Sequence, residues 1–352
     1  MSEGAACVLE ALREAAGSKD AAPAAGPTAS DAASARLTGA ALAERLGVSR
    51  AQVWKHVEAL RRRGYEIEGA PGGGYRLVSV PDRLYPEEIA AGLATRWLAR
   101  RIEWLDSTDS TNRVAHDLAR AGAEHGTTVV AEAQTAGRGR QGRSFFSPPY
   151  LNLYTSVVLR PSLTLAEAPT AILAAGIAVA ESVAAEAGDA AAVELKWPND
   201  VLMRGRKASG ILMELVAEAT RVGYLVLGIG VNLNVPRERF PAEFAASATS
   251  LRSELGRSVE RAAFARRLYG TLEDVLELHA AHGFAALRPR FDRFYRMAGR
   301  RITVAELGGA GFPGVALEPD TDGALRVQRD DGAVVRVLAG DVTLTHGAGS
   351  PA

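Results

Sequence analysis

An α+β protein in three parts is predicted by three textures along the 352-residue chain. Near the N-terminus, apolar residues recur at helical spacing and lead into a glycine-rich hairpin. The centre alternates short β-like runs with Ala-rich helical ones. Toward the C-terminus, apolar and polar residues alternate between Gly-Gly and Asp-Gly turns. At roughly 150 residues per domain, the length suits two or three domains with ample core.

Residues 5–16 read as a short amphipathic helix. Residues 18–35 hold eight Ala and two Pro with no apolar period, so a flexible insert is expected there. Leu42 and Leu46 then lie one helical turn apart, and Gly47 supplies a tight turn to a second helix. Ser49 and Gln52 form an S-x-x-Q capping box at its start. Val53, Val57 and Leu60 give it one buried face, which leaves Arg50, Gln52, Lys55 and His56 for the exposed side. Gly64 stands at the C′ position, and the segments at 65–68 and 75–77 flank Gly72, Gly73 and Gly74 as a β-hairpin wing. Helix, turn, helix and wing together predict a winged helix-turn-helix over residues 1–80, with Ser49, Arg50, Gln52, Lys55 and His56 as its DNA-contacting set.

The central stretch offers strands at RIEWL, TTVVAEAQ, NLYTSVVLR, VELKW, GILMELV and YLVLGIGVNLN. Residues 259–280 follow as a helix with Phe264, Leu268, Leu272 and Val275 at helical spacing. Five short alternating runs between 302 and 345 form a small all-β module. The domain boundaries expected from these textures are 84–297 for the centre and 298–347 for the C-terminal module.

Composition excludes several classes. One cysteine, Cys7, rules out an internal disulfide framework and a Cys-rich metal site. With 41 Lys plus Arg against 41 Asp plus Glu the chain is formally neutral, which argues against a nucleic-acid coat protein. Residues 36–78 alone carry eight basic and four acidic residues, a local +4 that suits phosphate contacts. The apolar run Ala171–Ala180 stops at Glu181, short of the ~20 residues that span a bilayer. No basic-then-apolar export signal opens the sequence, so a cytoplasmic location without membrane contact is expected.

Chemistry concentrates in a few central segments. In QTAGRGRQGRSFFSP (134–148), Gly137, Gly139 and Gly142 alternate with Arg138, Arg140 and Arg143. Glycines allow close backbone approach and arginines match phosphate or carboxylate oxygens, so the segment reads as an anion-clamping lid or as a solvated basic loop. In KWPND (196–200), Trp197-Pro198 is an extended entry and Asn199-Asp200 a turn. Lys196 then stands at a strand end as a point charge for phosphate; an ordinary hairpin is the alternative. DSTN (109–112) offers hydroxyls and an amide at a strand-to-helix turn, with an imperfect copy, DST, at 106–108. Gly228 and Gly230 of GIGVN share one strand face and leave room for a ligand. His279 and His282, three apart on a helix, read as a surface pair, and no dinucleotide, P-loop, H-E-x-x-H or G-x-S-x-G pattern is present.

Taken in order, DSTN, Q-x-x-G-R-G-R-x-G-R, KWPND, K-x-x-G-I-L and G-x-G-x-N closely resemble the biotin–protein ligase family over about residues 37–345. With the winged helix in front, the chain resembles the bifunctional bacterial form, both ligase and biotin-operon repressor. The central part then resembles a mixed α/β biotin–protein ligase catalytic domain, and the C-terminal module an SH3-like β-barrel. The resemblance implies ATP-dependent formation of biotinyl-5′-adenylate and transfer of biotin to a lysine of biotin carboxyl carrier protein. That carrier belongs to acetyl-CoA carboxylase or another biotin-dependent carboxylase. It implies Lys196, Arg138 and Arg140 as catalytic residues. Biotin would meet Ser110, Thr111, Asn112, Gln134, Gly137, Gly139, Gly228 and Gly230 with those three. ATP and the adenylate would meet Arg143, Phe145 and Asn232 as well. Mg²⁺ as companion of ATP, operator DNA and a ligand-linked homodimer follow from the same resemblance, which leaves the metal ligands unassigned. Phe145 departs from the Trp that family members often carry. Alternatives are a non-catalytic biotin-sensing regulator and a related lipoate- or octanoyl-handling enzyme.

Overall fold

The computed structural model describes residues 1–17, 36–70, 72–305, 311–338 and 340–344. The insert expected at 18–35 and the last residues of the C-terminal module, 345–347, lie outside the described residues. Two compact units divide the chain, Met1–Asp82 and Arg83–Ala352.

In the first unit, helices α1 (Glu3–Gly17), α2 (Gly39–Leu46) and α3 (Arg50–Arg62) pack on one another. Strands β1 (Glu66–Ala70) and β2 (Gly74–Ser79) form an antiparallel hairpin. Thr38 caps α2, whose end is closed by Gly47 in the left-handed region at φ 63°. The α3 capping box is complete: Ser49 Oγ accepts from Gln52 N at 3.2 Å, and Ser49 N donates to Gln52 Oε1 at 2.8 Å. Val53, Val57 and Leu60 are fully buried, as the apolar period requires. Leu37 adds a bridge to Tyr75, and a side chain at Gly74 (φ 76°) would strike the Leu37 backbone.

A seven-stranded sheet organises the second unit. After a short helix α4 (Pro86–Ala90) come β3 (Ile102–Leu105), α5 (Thr111–Arg120), β4 (Thr128–Ala131), β5 (Leu153–Leu159) and α6 (Thr170–Ala187). Strands β6 (Val193–Lys196), β7 (Asp200–Met203), β8 (Arg206–Glu218) and β9 (Arg221–Val231) complete it in the order β3-β4-β5-β9-β8-β7-β6. Only β3 and β4 run parallel. Short helices α7 (Ala242–Ala245) and α8 (Leu251–Leu255) precede the long α9 (Arg261–Asp292). Strand alternation separates two apolar layers. Val130, Val157, Leu225 and Leu227 join the α6–α9 side, whereas Val129, Val158 and Val226 join Ala115 and Ala119 of α5. By that alternation Gly228 and Gly230 face the α5 side, and so does Lys196, because Val193 and Leu195 face α6.

Helix α6 is apolar and long enough by composition to cross a bilayer, but most of it is buried among the protein's own layers. Fully buried Arg261 donates to Glu132 at 2.8 Å, and Glu132 also accepts from Leu84 N at 2.8 Å, so neither charge is stranded. The pair His279 and His282 corrects the sequence reading. His282 is exposed, but His279 is buried at the α6–α9 contact with Nε2 2.6 Å from Thr170 Oγ1. His279 lies on the packed face of α9, and the helix breaks immediately after His282 at Gly283 (φ 69°), which leaves His282 in solvent.

Strands β10 (Arg301–Ala305), β11 (Phe312–Ala316), β12 (Leu325–Gln328), β13 (Val334–Val337) and β14 (Asp341–Leu344) form an antiparallel sheet, in the order β13-β12-β11-β10-β14. Its inner residues Ile302, Val304, Leu325, Val327 and Val342 belong to the same core as α6 and α9. Trp197 Nε1 donates to Gly323 O at 3.0 Å, so the KWPND turn is pinned to this sheet.

Candidate functional site

A cavity of about 800 Å³ opens on the α5 side of the seven-stranded sheet. Its polar end is built at the N-terminus of α5. Ser110 is the extended N-cap (φ −157°, ψ 131°) and makes no capping bond, while Asp109 accepts from Ser110 N at 2.6 Å. The hydrogen bond from Arg113 holds the Asp109 carboxyl down at about 2. Gln134 Oε1 accepts from Thr111 N at 2.9 Å and Thr111 Oγ1 at 3.1 Å, and Gln134 Nε2 donates to Ser147 Oγ at 3.1 Å. Ser156 Oγ donates to Asn112 Oδ1 at 2.7 Å and lies 2.8 Å from the Thr111 hydroxyl, and Asn112 Nδ2 donates to Glu214 at 2.8 Å. The register of the motif follows: Ser110, Thr111 and Asn112 of DSTN line the cavity, whereas Asp106 of the upstream copy accepts a bond from Tyr150 outside it.

The arginine lid folds as a tight hairpin. Arg138 bridges Ser144, Gly139 N donates to Arg143 O at 2.7 Å, and between them Gln141 (φ 54°) and Gly142 (φ 73°) make a tight left-handed hairpin turn. Arg138, Arg140 and Arg143 meet Lys196 and Lys207 around the cavity. Each cation has an internal carboxylate. Arg138 pairs with Glu214 at 3.6 Å, and Arg140 and Arg143 pair with Asp341 at 3.4 and 2.8 Å. Lys196 and Lys207 share Asp200 at 3.6 and 2.7 Å. Burial pushes the Arg140 guanidinium below its ordinary value, partly offset by Asp341. Burial likewise pushes the Tyr154 hydroxyl up, so it stays a neutral donor, to Pro148 O at 2.8 Å.

Of the residues singled out from sequence, Ser110, Thr111, Asn112, Gln134, Arg138, Gly139, Arg140, Arg143, Phe145, Lys196, Gly228 and Gly230 line this one cavity. The two strand glycines leave room that the protein's own side chains partly use. A Cβ on Gly228 would collide with the Asn112 amide, and one on Gly230 with the Phe145 ring. Phe145 also stands edge-on to Tyr154, with ring centroids 6.5 Å apart.

Three assignments are corrected. Asn232 does not line the cavity: its buried amide donates to Thr249 O at 3.1 Å and accepts from Asn152 at 3.2 Å, so it braces the end of β9. Gly137 is also outside the lining; a side chain there would strike Phe145 O and Ser147 Oγ, so its glycine serves close packing at the lid's base. In the first unit, Ser49, Arg50, Gln52 and Lys55 are exposed on α3, but His56 is half-buried with its ring against Gly4 of α1. Trp54, 54% exposed, is a further surface side chain of α3, on the other flank of the helix from His56.

Lys207, Asp200, Asn199, Glu214 and Asp341 escaped the sequence reading. Lys207 opens K-x-x-G-I-L, so a signal existed. Asp341 carried none, because nearly 200 residues separate it from the lid.

Comparison with known proteins fits this geometry. Residues 104–232 match the model of the biotin/lipoate A/B protein ligase family, and residues 31–76 match an HTH domain. The chain is 36% identical over 315 residues to the bifunctional ligase/repressor BirA of Bacillus spizizenii, covering 90% of this chain and 96% of that one. With BirA of Escherichia coli it shares 32% identity over 308 residues, 87% and 92% of the two chains. Among solved structures, the biotin protein ligase of Aquifex aeolicus in complex with biotin and ATP is similar, with TM-score 0.60 and 26% identity over 70% of this chain and all of that one.

Proposed function

The chain belongs to the biotin–protein ligase family, in its bifunctional ligase/repressor form, and from that premise we propose how its residues serve ligation and repression. The carrying observation is the convergence of an uncharged polar pocket and five cations on one cavity. Ser110, Thr111, Asn112 and Gln134 hold the biotin ring and tail; Gly228 and Gly230 floor the pocket beneath them. Arg138, Arg140 and Lys196 take the carboxylate and the α-phosphate, Arg143 and Lys207 the remaining phosphates, and Phe145 walls the adenylate.

The biotin carboxylate attacks the α-phosphorus of ATP and pyrophosphate leaves. A lysine amine of the carrier protein then attacks the acyl carbon, and AMP leaves. A carboxylate is already ionised at neutral pH, so the first step needs no general base, and no His or Cys lines the cavity. Rate comes from alignment and from positive charge on the crowded phosphorus. Glu214 and Asp200 keep Arg138, Lys196 and Lys207 neutralised until substrate oxygens replace them. A closed lid then shields the adenylate from water.

Mg²⁺, bound with ATP, would be held mainly by the nucleotide's own phosphates in this reading. Among the described residues no group of three or more His, Cys, Asp and Glu could cage a metal, and Asp200 is the cavity carboxylate suited to support an ion that keeps most of its water. When bound, that ion neutralises phosphate charge.

For repression, α3 enters the major groove of operator DNA with Arg50, Gln52 and Lys55 toward the bases, while the wing meets the backbone. Adenylate-linked homodimerisation would bring two recognition helices to two half-sites. The carrier is a biotin carboxyl carrier protein, and the protein works in the cytoplasm. Biotin-dependent ATP–pyrophosphate exchange tests the ligase reading. Exchange with biotin and none with lipoate is expected; exchange with lipoate alone, or with neither acid, would replace it by the lipoate-handling or the sensing alternative.

A further inference from the structure

The lid arginines of the catalytic cavity are held from the C-terminal sheet. Asp341 opens β14, where its backbone pairs with Ala305 of β10 and Val342 beside it is buried. The carboxylate is 11% exposed, lines the cavity, and offers one oxygen to Arg140 at 3.4 Å and the other to Arg143 at 2.8 Å. One anchored acid therefore spans the two ends of the lid's hairpin turn, Arg140 to Arg143, which Arg143 N closes on Arg140 O at 3.1 Å.

Each is an ion pair through one terminal nitrogen, Nη1 of Arg140 and Nη2 of Arg143, with no hydrogen bond formed to the Asp341 oxygen that faces Arg143, and Arg140 Nη1 also reaches Asn199 Oδ1 at 3.5 Å. A guanidinium has five N–H donors, so donors remain for phosphate while the carboxylate stays in place. Long arginine side chains carry much rotamer entropy, and a ligand that finds them already ordered binds more tightly.

We propose that Asp341 is a positioning residue for nucleotide activation: it holds Arg140 and Arg143 at the cavity before ATP arrives, so the C-terminal sheet sets nucleotide affinity without touching the nucleotide. The inference rests on the ligase reading. Wild-type exchange tests that reading, and proteolysis of the empty lid tests the latch independently.

The experiment uses the full chain carrying Asp341→Asn, with Asp341→Ser as a second neutral variant where the first does not fold. ATP and biotin are varied separately in pyrophosphate exchange. KM for ATP should rise by about tenfold, with kcat and KM for biotin within about threefold of wild type. Asp341→Glu keeps the charge and should recover most of the ATP affinity. Without ligands, trypsin should cut the neutral variants after the lid arginines faster than wild type. An unchanged KM for ATP, an equal rise in KM for biotin, or unchanged lid cleavage would overturn the role. So would tighter ATP binding, which would make Asp341 a competitor of phosphate.

Discussion

In the proposed reaction Lys196 and Arg140 would divide the work of the cavity they both line. Lys196 ends β6 and is fixed by its strand, with Asp200 at 3.6 Å as its resting partner. Its compact charge belongs to the phosphoryl step, so Lys196→Ala should lower biotin-dependent exchange by about 10²–10³-fold. Exchange near the wild-type rate would remove Lys196 from the chemistry. Arg140 belongs to the lid hairpin, and the role proposed for it is retention. Losing one charge-assisted contact, about 1.5–3 kcal/mol, should speed biotinyl-adenylate release by roughly ten- to a hundredfold in Arg140→Ala. An unaltered off-rate would place Arg140 in the resting lid only. Both residues were legible in sequence because glycine-spaced arginines and a strand-end lysine have few other uses together. Asn232 misled for a physical reason: an amide after G-x-G on an open strand end can turn to solvent or to backbone, and here Thr249 and Asn152 capture it.

Helices and strands show which sequence signals carry most information. The capping box at Ser49 and Gln52, the left-handed Gly47 and the buried Val53, Val57 and Leu60 stand where periodicity placed them. Periodicity does not say which neighbour covers a helix's flank, and α1 therefore took His56 from the exposed face. Arg50 and Lys55 remain on that face, and each Arg50→Ala or Lys55→Ala change should reduce the salt slope of duplex binding by about 0.9 per lost phosphate contact. A slope unchanged in both variants would move DNA elsewhere. At the α6–α9 contact, burial lowers the pKa of His279 below its ordinary 6.5, and Glu167 opposes that only in part. The folded state therefore binds fewer protons than the unfolded one just below that value. Stability from the neutral ring is complete above 6.5 and is lost as pH falls toward the lowered value. Urea midpoints measured between pH 7 and 5 should fall less steeply in His279→Gln than in wild type; parallel slopes would show that another group governs the acid limb.

Across the whole molecule, neutrality conceals a division of labour. The local +4 of residues 36–78 lies in the first unit, while the five cavity cations of the second are matched by Glu214, Asp341 and Asp200. The three textures of the sequence anticipated helices with a wing, a mixed sheet and an antiparallel sheet, because each has its own hydrophobic period. They could not show that the last sheet shares its core with α6 and α9 or that Trp197 is bonded to Gly323, since long-range packing leaves no period in the chain. The same packing lets that sheet lend Asp341, Val342, Thr343 and Leu344 to the cavity's lining.

The central claim is that one cavity both makes and keeps an acyl-adenylate for transfer. A single-turnover experiment tests it most directly: incubate the protein with labelled biotin and Mg-ATP, remove free ligands by rapid gel filtration, then add a biotin carboxyl carrier domain alone. The account predicts label retained by the protein and then transferred to one lysine of the carrier with no ATP added. Retained biotin that transfers only when ATP is supplied, or no retained label at all, would contradict it.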